Sequence, residues 1–97
     1  MNRDQVLDVL RRDAKGLMSS FNLEHLSVFG SAARDELRPE SDIDILVEFK
    51  GLPTLAAYCA LQDRLTGLLG RRVDLVTEKG LKPRVRPHVE KDLIRVA

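Results

Sequence analysis

The stretch that decides the fold is FGSAARDELRPESDIDILVEF, residues 29–49. Its second half, SDIDIL (41–46), interleaves Asp42 and Asp44 with Ile43 and Ile45. Apolar and polar residues in alternation mark a β-strand, whose alternate side chains share a face. A strand over Asp42–Phe49 sets Ile43, Ile45, Val47 and Phe49 toward a core, and Asp42, Asp44, Leu46 and Glu48 on the opposite side. Two carboxylates ~6–7 Å apart repel by a few kcal/mol at an effective dielectric of ~20. An ordinary solvated strand face would screen that repulsion, whereas a bound cation would use it.

Two further features bear on the choice. Asp74 lies in RVDLVT (72–77), between Val73 and Leu75, in a second strand-like apolar run. A carboxylate there needs a partner if it is buried. Three aspartates at the ends of neighbouring strands suit hard divalent ions, and Mg²⁺ commonly shares its shell with substrate phosphates. One bridging carboxylate flanked by two others suits a pair of ions ~4 Å apart, as used in phosphoryl transfer. The other feature is Gly30-Ser31, which follows a strand and opens a helix. Glycine lets backbone approach a ligand closely, and the first amides of a helix attract anions. Alone, Gly-Ser marks only a turn. Here it precedes the Asp-x-Asp pair by ten residues, in a strand–turn–helix–loop–strand context.

Outward from this stretch, Val6, Leu7, Leu10, Ala14, Leu17, Met18 and Phe21 recur at helical steps, predicting an amphipathic helix over residues 3–21. Asn2 and Gln5 resemble a capping box at its start. His25–Phe29 suits a short strand, Ser31–Leu37 a brief helix, and Arg38–Ser41 a loop around Pro39. After the turn at Lys50–Pro53, Thr54 is placed to cap a helix. Its apolar stripe takes in Leu55, Tyr58, Cys59, Leu61, Leu65, Leu68 and Leu69, and Gly70 closes it. Arg72–Thr77 is a third strand, and a short helix falls around residues 87–93. The class is α/β (α+β), a single domain over residues 1–97 with a sheet of about three strands and helices packed against it.

Composition narrows the functional classes. Of the 97 residues 43% are hydrophobic and 32% charged, as expected of a soluble globular chain, and no apolar run reaches the ~20 residues that span a bilayer. One cysteine, Cys59, forms no internal disulfide, and no secretory leader is visible; both fit the cytoplasm. A net charge of +1 is too balanced for a dedicated nucleic-acid binder. From Arg71 to Ala97, eight Lys or Arg face four Asp or Glu. That excess is either a solvated face or a contact for an anionic ligand or acidic partner.

FGSAARDELRPESDIDILVEF closely resembles the motif of the minimal nucleotidyltransferases, small members of the DNA polymerase beta superfamily. The leading helix, the second long helix and RVDLV extend the likeness over most of the chain. The resemblance implies a nucleotidyltransferase fold with a short mixed sheet. It implies that Gly30 and Ser31 hold a triphosphate and that Asp42, Asp44 and Asp74 bind two Mg²⁺ ions. Asp74 would also help to deprotonate the attacking hydroxyl. Arg34 matches an arginine of the motif that neutralises phosphate, although a surface position on the helix would account for it equally well. The residue after that arginine is usually glycine. Here it is Asp35, which sets a negative charge near the cradle or else points outward.

The small members resembled here are commonly antitoxins that act beside an all-helical HEPN ribonuclease. The resemblance therefore implies transfer of AMP from ATP to a tyrosine of a partner toxin. A chain this small has little room for an acceptor-binding domain, so the acceptor site is expected to be shared with a partner. Two alternatives are an antitoxin that works by binding alone, which Asp35 mildly favours, and a transferase for a small molecule of the aminoglycoside type. Whether the chain forms homo- or hetero-oligomers stays open.

Overall fold

The computed structural model describes residues 1–97. The first helix, α1 (Arg3–Ser20), starts where the sequence supplies a reciprocal cap. The Asn2 side chain accepts from the Gln5 backbone N–H at 2.9 Å, and the Gln5 side chain accepts from the Asn2 N–H at 2.8 Å. Two of the four unpaired amides at the helix start are thereby satisfied. Then come β1 (Leu23–Phe29), α2 (Gly30–Ala33), β2 (Ile43–Phe49), α3 (Leu55–Leu69), β3 (Val73–Thr77), α4 (Arg86–Glu90) and β4 (Ile94–Arg95). Thr54 Oγ1 accepts from the Ala57 N–H at 3.0 Å to cap α3. Gly70, at φ 66°, ends that helix in the left-handed conformation that glycine adopts without strain.

The strands form one mixed sheet in the order β3-β2-β1-β4. β1 and β2 are antiparallel, β4 is antiparallel to β1, and β3 is parallel to β2. A parallel neighbour requires a crossover, which α3 provides. α1 and α3 cover one face of the sheet. Val6, Leu10, Leu26, Val28, Ile43, Ile45, Val47, Leu61 and Leu65 are fully buried between the layers. Each such side chain contributes about 1.5–3 kcal/mol relative to exposure. Ala32 and Ala33 place α2 against the same core, so the turn at Gly30 is anchored by packing on its C-terminal side.

The structure corrects several boundaries. The sheet has four strands rather than about three, because the chain after α4 returns to pair Ser27 with Arg95 and Val28 with Ile94. The brief helix expected over Ser31–Leu37 ends at Ala33. On the α3 stripe Leu55 is 78% exposed and Cys59 is exposed, so neither belongs to the core. Leu46 is buried at 6% on the carboxylate-bearing face, outside the main core, in a shallow cavity that it shares with Leu93. No helix is long and apolar enough to cross a membrane.

Candidate active site

The parallel pairing of β2 with β3 sets Asp44 directly opposite Asp74. Directly opposed residues of neighbouring strands project to the same side of the sheet, and so does Asp42, two residues before Asp44. Burial, the adjacent charge of Asp74, a hydrogen bond to the Asp74 carboxyl and the charge of Asp42 together push the Asp44 carboxyl up to about 6. The pair behaves as like charges that are costly to ionise together. The Asp42 side chain lies at the solvent-facing rim, its Oδ1 3.1 Å from Arg72 Nε. The three carboxylates are therefore neighbours on one face without being gathered at metal-ligand distances.

The antiparallel pairing on the other side of β2 places Phe29 opposite Asp44, so the next residue, Gly30, turns over the Asp44 side chain. Gly30 has φ +68°, and a Cβ built there would lie 2.2 Å from Asp44 Oδ2. Only glycine meets both the conformation and the contact. Ser31 follows on the first turn of α2. Gly30, Ser31, Asp44 and Asp74 are thus assembled by two strand registers, while Asp42 sits at the rim.

Arg34 closes the short helix. Its Nη1 is 2.6 Å from Asp92 Oδ2 and its Nε 3.4 Å from Glu36 Oε1. The hydrogen bond to Asp92 raises the guanidinium's affinity for its proton. Its positive charge acts in turn to hold the Asp44 carboxyl down, so it lies within electrostatic reach of that carboxyl.

Asp35 does not face this centre. Its backbone is left-handed, φ 61°, and its Oδ1 accepts from the Arg3 N–H at 2.8 Å, on the first turn of α1. The positive φ explains why glycine suits this position, and aspartate is among the few other residues that tolerate it. The carboxylate meets the partly positive end of a helix. Asp35→Ala keeps the unfavourable φ and removes this cap. It is expected to lower stability by about 1–2 kcal/mol, read as a reduced urea midpoint with unchanged slope.

Other side chains that hold the site in place carry no sequence motif. Arg71 Nη2 donates to the carbonyl of Ser41 at 2.9 Å and to that of Arg38, fastening the loop that leads into Asp42. Gln62 Nε2 donates to the Val73 carbonyl at 3.0 Å and the Tyr58 hydroxyl to that of Leu75, so α3 grips β3 on both sides of Asp74. Burial, and then the charge of Asp74, push the Tyr58 phenol up. Arg86 of the basic C-terminal region is tied to Glu78 and Glu90. His25 pairs with Glu48 at 2.9 Å.

The donor set at the centre is all carboxylate oxygen, the choice of hard divalent cations, and a cation would relieve the repulsion at Asp44. Asp44 and Asp74, paired in register, present oxygens of the kind such an ion takes, with Asp42 a third carboxylate at the rim. None of the surface cavities is lined by Asp42, Asp44 or Asp74.

The chain is similar to known proteins over nearly its whole length. Residues 7–96 match the family model described as the nucleotidyltransferase domain. The protein adenylyltransferase MntA of Thermococcus cleftensis is 36% identical over 93 residues, covering 96% of this chain and 94% of the relative. A solved structure provisionally named a minimal nucleotidyltransferase superposes with a TM-score of 0.82 at 40% identity, covering 97% of this chain and 95% of the other. The fold is also shared, at TM-score 0.69 and 20% identity, with a chain in the complex of the tri-AMPylated Shewanella oneidensis HEPN toxin with its MNT antitoxin; 94% of this chain and 71% of that one are covered. A match over nearly the whole chain places this protein in the nucleotidyltransferase-domain family.

Proposed function

We propose that the protein transfers AMP from ATP to a hydroxyl, that of a tyrosine, on a partner toxin of the HEPN class, and so acts as the antitoxin of a pair. The observation that carries this reading is the contact between the Gly30 turn and Asp44, with Asp74 alongside in register. A phosphate cradle and a carboxylate pair thereby touch the same point in space. The exposed pair of Asp42 and Arg72 at the rim leaves that side of the centre accessible to a macromolecular acceptor. The orientation of Asp35 toward α1 removes the feature that favoured an antitoxin acting by binding alone.

In this reading the Gly30 and Ser31 amides hold the triphosphate, and Arg34 offsets its charge. Asp42, Asp44 and Asp74 would hold the divalent cations. Mg²⁺, when bound, offsets the carboxylates and stabilises charge on the entering and leaving oxygens. Asp74 accepts the proton of the tyrosine hydroxyl, the tyrosine oxygen bonds to the α-phosphorus, and the bond from that phosphorus to the pyrophosphate oxygen breaks.

The test combines protein, labelled ATP, Mg²⁺ and the product of the adjacent gene. Wild type is expected to pass label to a tyrosine of that product, and Asp42→Asn and Asp44→Asn to lose the transfer. Variants that neutralise the toxin as fully as wild type would leave binding as the whole explanation and end the proposal.

A further inference from the structure

The ion pair between Arg34 and Asp92 joins two parts of the chain that the motif does not connect. Asp92 lies between α4 and β4, 58 residues beyond Arg34. Its side chain is only 14% exposed, against 43% for Arg34. A carboxylate that deeply placed is costly to leave without a partner, so the guanidinium is held where it is rather than free to swing. Arginine carries five N–H donors in a rigid fork. Asp92 engages Nη1 and Glu36 engages Nε, so both known partners leave Nη2 uncommitted. Arg34 also donates its backbone N–H to the Gly30 carbonyl at 3.1 Å, which ties the residue to the turn over Asp44.

We propose that Asp92 is a positioning residue for nucleotide binding: it fixes the Arg34 guanidinium beside the Gly30–Ser31 turn so that its free donors meet the triphosphate. This rests on the reading of that turn as the triphosphate cradle. It gives the C-terminal segment a role in the site, because the chain that carries Asp92 is secured immediately afterwards by pairing of Ile94 and Arg95 with β1. A nucleotide would find the guanidinium already oriented and would not have to order a long side chain on binding.

The test is a double-mutant cycle on Arg34→Ala, Asp92→Asn and the pair, with MgATP affinity measured by calorimetry and KM and kcat by label transfer. Asp92→Asn is expected to weaken MgATP binding and raise KM by about fivefold to tenfold with kcat nearly unchanged, and to have no effect in the Arg34→Ala background. Asp92→Glu, which keeps the charge, is expected to recover part of the loss. Wild-type affinity in Asp92→Asn would overturn the inference while leaving the proposed function standing. So would an equal loss with and without Arg34, the mark of a merely structural effect. Failure of the wild type itself to bind MgATP would overturn both.

Discussion

Asp44→Asn is expected to give a protein that is more stable without divalent cations and that has lost transfer by about 10³-fold or more. The loss follows from removing a ligand whose cation would stabilise several kcal/mol of transition-state charge, each 1.4 kcal/mol being about tenfold in rate. The gain follows from the repulsion within the carboxylate pair. Folding raises the Asp44 carboxyl from 3.8 to about 6. The folded state therefore binds this proton more tightly than the unfolded state, so wild-type stability falls as pH rises through that window and levels off above it. The full shift corresponds to about 3 kcal/mol; partial exposure screens it to about 1–2 kcal/mol, or roughly 5–15 °C in Tm for a domain of this size. In EDTA, the difference in Tm between Asp44→Asn and wild type should be near zero at pH 4 and reach its maximum above pH 6. Millimolar Mg²⁺ should raise the Tm of wild type and leave that of the variant nearly unmoved. A variant less stable than wild type at pH 7 in EDTA would contradict the repulsion on which the metal reading depends.

The same residues mark how far the sequence could be read. Asp42, Asp44 and Asp74 were legible because strand alternation assigns a face without knowledge of the rest of the fold. Gly30 was legible as a turn, but its contact with Asp44 follows from the register of β1 on β2, which local pattern does not specify. Asp35 was ambiguous because its partner, the first amide of α1, lies 32 residues away. Its left-handed backbone also explains why the helix after Ser31 stops early, since an L-residue at φ 61° cannot continue it. β4 escaped because two residues carry no periodicity, and its pairing is decided by where α4 delivers the chain. Leu55 and Cys59 lie on the helical stripe yet are exposed for a related reason: helical spacing defines a stripe, whereas the width of the stripe that is covered depends on the sheet beneath. Arg71 and Asp92 carry no motif, and their roles arise from contacts across 30 residues or more.

Gly30→Ala is expected to damage both fold and chemistry through a single contact. The added methyl would start 2.2 Å from Asp44 Oδ2, more than 1 Å inside ordinary contact distance, on a backbone at φ +68°. The left-handed conformation alone costs a residue with a Cβ about 1–2 kcal/mol. Moving the Asp44 carboxylate aside adds to this, for a total of about 2–3 kcal/mol and a fall in Tm of roughly 10–20 °C. Displacing a reacting-centre ligand by about 1 Å is enough to lower transfer by about 10²-fold. The two contributions separate in a cycle with Asp44→Ala, which removes the carboxylate that the methyl strikes. If the clash is the cause, Gly30→Ala should destabilise the Asp44→Ala protein only by the backbone term, giving a coupling of about 1 kcal/mol between two residues 14 apart in sequence. Transfer would stay abolished in the double variant, since the carboxylate is gone. Strict additivity of the two stability changes would mean that the turn does not rest on Asp44, and that the cradle and the carboxylates are not one site.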